Sequence, residues 1–127
     1  MPKVRIRQYK GTSDEEVGMA ITSMASPMLS ACNGEMELMA AFAELTVAGW
    51  NLSLEPSGDD GYAARIESHL PARLAGEQRQ VLYAFMETVI RKRQNKYPGI
   101  LKGIIHHEIC MDPEPGIRVS TLPVRPL

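Results

Sequence analysis

At 127 residues, 44% hydrophobic and 23% charged, the chain is sized for one domain and composed like a globular protein, which excludes disorder of the whole. Its two cysteines, Cys32 and Cys110, match no redox or zinc spacing, and no run of about 18 apolar residues offers a membrane span. The formal net charge of −1 conceals a dipolar chain, because no Lys or Arg occurs between Lys10 and Arg65 while that gap holds nine acids.

The first ten residues hold Lys3, Arg5, Arg7 and Lys10, with Val4 and Ile6 alternating against them. That period of two predicts a short strand with one basic and one apolar face. The start is basic but lacks the apolar stretch of a signal peptide, so a cytoplasmic, reducing location with both thiols free is expected. Ser13-Asp14-Glu15-Glu16 then has the form of a capping box, and Val17, Ala20, Ile21 and Met24 follow at helical spacing. The first helix is expected to run to about Met24. Pro27 lacks an N–H and crowds the preceding turn, so Ser26-Pro27 reads as the start of a second short segment ending near Asn33-Gly34.

A longer helix is predicted from Glu35 to about Leu52, with Leu38, Met39, Phe42, Leu45 and Trp50 on its apolar face. Its acids Glu35, Glu37 and Glu44 fall toward the N-terminal part, where the helix dipole favours them. Residues 56–61 form a loop, and Asp59-Asp60 lacks the alternating oxygens of a calcium loop. Tyr62–Leu70 makes a short helix stopped by Pro71. The most regular helix spans 75–96, where Val81/Leu82, Phe85/Met86 and Val89/Ile90 recur as adjacent pairs and predict a broad buried stripe. Glu87 stands four residues before Arg91, in position to pair with it. Arg91, Lys92, Arg93 and Lys96 suit the negative end of this helix. After Gly99, residues 104–111 and 117–122 read as β-rich segments around a Pro/Gly turn. The expected architecture is therefore mostly α, with about four helical segments and a small β element from the terminal segments 1–10 and 104–127, in a single domain; α+β is the close alternative.

Three kinds of chemistry compete for the functional residues. The first is association: apolar helix faces bury against a second copy or another protein, while Arg91, Lys92, Arg93 and Lys96 on one side and Glu35, Glu37 and Glu44 on the other set orientation. The second is a metal site. His106, Glu108 and Cys110 share one face of a strand, with His107 on the other, and His69 could add a ligand. The third is nucleic-acid binding through the basic run 91–97 and its adjoining Tyr97. The methionines Met19, Met24, Met28, Met36 and Met39 fall at helical spacing and read as core, or as an adaptable groove for a partner. No phosphate loop, nucleophile elbow or paired-histidine zinc helix is present, so the leading expectation is a non-enzymatic, self-associating module without a cofactor.

Overall fold

The computed structural model describes residues 13–111 and 114–124, so the expected N-terminal strand over 3–9 lies outside the described residues. Four helices and a β-hairpin follow in chain order: α1 (Asp14–Ala31), α2 (Met36–Leu52), α3 (Ala63–His69), α4 (Gly76–Lys96), β1 (Lys102–Cys110) and β2 (Gly116–Pro123). The mostly α architecture with a small antiparallel β element is the expected one, and the β element described is built from the C-terminal segment.

The capping box forms as the sequence requires. Glu16 N–H donates to Ser13 Oγ at 3.2 Å, and Ser13 N–H donates to Glu16 Oε1 at 3.4 Å. One expectation fails here: α1 does not stop near Met24 but continues through Pro27 to Ala31. A mid-helix proline costs about 3 kcal/mol, largely through the lost bond to the carbonyl four residues back. That carbonyl belongs to Ser23, on the exposed side of α1, where water can satisfy it. Meanwhile Met24, Ala25 and Leu29 are buried, so breaking the helix would forfeit core packing on both sides of the proline.

Helices α2 and α4 run parallel. Phe42 meets Phe85 edge-on at 6.0 Å, Gly49 faces Val89, and Ser53 bonds Arg93, so residue numbers rise together along the pair. Gly49 is what lets the two backbones approach, since a Cβ there would lie 3.0 Å from Val89 Cβ. Helix α3 closes a second cluster over them, with Ile66 and Leu70 against Leu45, Leu52, Met86 and Ile90. The main cluster joins α1, α2 and the hairpin around a fully buried Trp50, whose indole N–H donates to the Lys102 carbonyl at 2.8 Å.

Helix α1 lies along the outer edge of β2. Asp14, Gly18 and Thr22 meet Thr121, Val119 and Ile117 in turn. Four helical residues rise about 6 Å and two strand residues about 6.6 Å, so the two periods stay in step. Thr22 Oγ1 both accepts from Ile117 N–H (2.9 Å) and donates to its carbonyl (3.3 Å). Gly18 permits the approach, because a Cβ there would stand 3.1 Å from the Ile117 carbonyl oxygen. On the other edge, Asn51 does the same for β1: its Oδ1 accepts from Ile104 N–H at 2.8 Å and its Nδ2 donates to Ile104 O at 3.0 Å. Two helix side chains thus occupy sheet-edge groups that would otherwise need water or another strand.

Candidate functional site

The basic run divides between interior and surface. Arg93 is only 6% exposed, so it cannot serve on a docking face as the sequence suggested. Its Nε donates to Ser53 Oγ at 2.8 Å and its Nη2 to the Ser53 carbonyl at 2.9 Å, with longer contacts from Nη1 to Tyr97 O and Ile100 O. Among the described residues no carboxylate pairs with it; the C-terminal carbonyls of two parallel helices supply the compensating negative potential. Burial pulls its pKa below the ordinary guanidinium value, partly opposed by Tyr62. Arg91, Lys92 and Lys96 remain exposed. Arg91 lines a cleft with Asp60, Tyr83 and Glu87, and the expected Glu87–Arg91 ion pair does not form. Tyr97 packs against Trp50 at 6.2 Å and is half-buried, which leaves little of its face for stacking on a base.

At the opposite end of the same two helices an apolar groove of about 440 Å³ opens between α2 and α4. Leu38, Ala41, Phe42 and Leu45 form one wall and Gln78, Val81 and Leu82 the other, while His69, Pro71, Arg73 and Leu74 close the end. The last wall is irregular chain, yet it is firmly held. Arg79 donates to Glu67 Oε1 at 2.9 and 2.6 Å, and reaches the carbonyls of Glu67, Pro71 and Leu74. Arg65 performs a similar service for the 55–61 loop, bonding Glu55, Pro56 O and Gly61 O. Sequence reading singled out neither arginine, since each acts on irregular chain remote in order.

Leu38 is 46% exposed and Val81 52% exposed, although periodicity assigned both to buried stripes. Met36 is also exposed, whereas Met39 is fully buried in the core. The candidate acids sit at this end: Glu35 is the N-cap of α2, Glu37 is in its first turn, and Glu44 lines the groove. Because α2 and α4 are parallel, the candidate acids lie toward the groove end of the pair, where Arg73 and Arg79 also sit, and Arg91, Lys92 and Lys96 lie toward the other, with Asp60 and Glu87 beside Arg91.

Among the described residues the histidine-rich run gathers no centre. His106 and Glu108 face outward on β1, His107 turns toward the helices, and Cys110 is half-buried. Glu108 pairs across the hairpin with Arg118 at 3.4 Å. His69 lines the apolar groove at the end of α3. Among the described residues, no group of three His, Cys, Asp or Glu side chains is placed to hold a metal ion. Cys32 is buried, its thiol donates to the Met28 carbonyl at 3.2 Å, and burial with Glu35 nearby pushes its pKa up, the reverse of what a nucleophile needs. Compared with protein-family models, curated proteins and solved structures, the chain matches none.

Proposed function

We propose that this protein is a non-enzymatic association module that binds a second copy of itself through the α2/α4 groove face. The observation that supports this reading most is the groove itself, an apolar surface with half-exposed Leu38 and Val81 on rigid helices. Exposed apolar surface of this kind marks interaction sites more often than scattered single residues do. The groove's own lining favours a second copy as occupant, because it carries both an acid, Glu44, and a cation, Arg73. The groove opens at the acidic end of the pair, so an antiparallel two-fold approach centred on it sets Glu44 of each copy toward the partner's Arg73, while Arg91, Lys92 and Lys96 lie at the far ends. The same approach opposes the helix dipoles favourably. Groove burial supplies the affinity, and the charges supply orientation and on-rate, so raised salt weakens the assembly only modestly.

The test is assembly mass across a concentration series for wild type and for the paired variant Leu38→Asp/Val81→Asp. Both positions are already half-exposed, so the fold should tolerate the change while association weakens at least tenfold, about 1.4 kcal/mol. An unchanged assembly in a folded variant would remove the groove from the account.

A further inference from the structure

The edges of the hairpin are treated unequally. In an antiparallel pair, directly opposed residues aim their N–H and C=O groups either both toward one another or both away. Ile117 spends both groups on Thr22, outside the hairpin, so its partner Ile109 also faces outward. By alternation the His107–Val119 pair faces outward as well. On the β2 side α1 covers that edge. On the β1 side Asn51 caps Ile104 alone, and a bulge between Ile104 and His106 follows. Among the described residues nothing bonds the outward backbone groups of His107 or Ile109. The chemistry that recognises such an edge is another extended backbone.

We infer that β1 of a second copy pairs antiparallel with this edge, centred on His107. The inference rests on the self-association reading but uses a surface distinct from the groove. Charge selects both the occupant and the register. Centring on Glu108 would set two carboxylates opposite each other, which is unfavourable. Centring on His107 sets His106 opposite Glu108 of the second copy, twice by symmetry. Each outer row then reads Arg118, Glu108, the second copy's His106, and its Ser120, continuing the cross-strand pairs Glu108–Arg118 and His106–Ser120 already present. The two His107 residues exchange N–H to C=O bonds at the axis, and the ladder ends where Asn51 occupies Ile104. Two hairpins become one four-stranded sheet. A chain with two different two-fold contacts, edge and groove, assembles beyond a dimer, closing as a tetramer where the axes allow.

The experiment is native mass spectrometry on wild type, His107→Pro, and Leu38→Asp/Val81→Asp. Proline at 107 removes only an outward N–H, so the hairpin's own ladder survives. Tetramers that fall to dimers in each variant support both contacts. A wild-type dimer lost with His107→Pro but kept in the groove variant supports the edge and removes the groove. A dimer lost in the groove variant but kept with His107→Pro overturns the edge contact, and a wild-type monomer overturns both. Should His107→Pro fail to fold, amide exchange in wild type decides. The His107 N–H should exchange at least tenfold faster when the protein is diluted below its assembly concentration, and a rate independent of concentration overturns the inference.

Discussion

Replacing Arg93 by methionine should destabilise the monomer fold by about 2–3 kcal/mol. The side chain makes two short bonds, to Ser53 Oγ and Ser53 O, and two long ones to Tyr97 O and Ile100 O. Bonds from a charged donor are worth roughly 1.5–3 kcal/mol each, so the two short ones amount to about 3–6. Against that stands the desolvation cost of a buried cation with, among the described residues, no carboxylate beside it, which the substitution relieves. The Ser53 carbonyl also keeps a second donor, Gln94 Nε2 at 3.2 Å, and so is not orphaned. Methionine preserves much of the packed stem, which leaves the net loss in the stated range. Arg93→Lys should fare no better, because a point charge cannot fork between the ends of two helices. Urea unfolding of both variants beside Lys92→Met, which should lie within about 0.5 kcal/mol of wild type, is the assay. If Arg93→Met is as neutral as Lys92→Met, Arg93 is a surface cation after all and the reasoning about the helix ends is wrong.

Two further outcomes follow from the packing. Gly49→Ala would gain about 1 kcal/mol from helix propensity, but its Cβ would crowd Val89 Cβ and Cγ1 at 3.0 Å, at an overpacking cost of about 1–3 kcal/mol. The crowding should win, lowering the thermal midpoint, and a stabilised variant would show that α2 and α4 can move apart freely. The raised pKa of Cys32 means that the unfolded chain loses its thiol proton first. Stability should therefore fall as pH rises past the thiol's ordinary value of 9.0. Urea midpoints at about pH 8 and pH 10.5 should differ less in Cys32→Ala than in wild type. Equal differences would mean that the thiol is not the group responsible.

Most of the scaffold was legible because its signals are local. The Ser13–Glu16 cap, the Pro71 stop and the alternation around the turn after Cys110 each depend on residues within a few positions of one another. Pro27 misled because the proline penalty is local, while the burial of Met24 and Leu29 that outweighs it is tertiary. The groove was hidden for a related reason: periodicity marks Leu38 and Val81 as apolar-face residues but cannot say whether another element covers that face. Arg93 looked like its neighbours Arg91 and Lys92. Only the parallel placement of α2 and α4, which brings Ser53 to it from 40 residues away, sets it apart. The edge-capping roles of Thr22 and Asn51 are unreadable in sequence, since their partners lie 95 and 53 residues distant.

The central claim is tested most directly by sedimentation velocity over a wide concentration range, comparing wild type with Leu38→Asp/Val81→Asp. The account predicts that wild type assembles with rising concentration and that the folded groove variant forms a smaller species or assembles only at least tenfold higher. Wild type that stays monomeric throughout, or a groove variant that assembles identically, would contradict it.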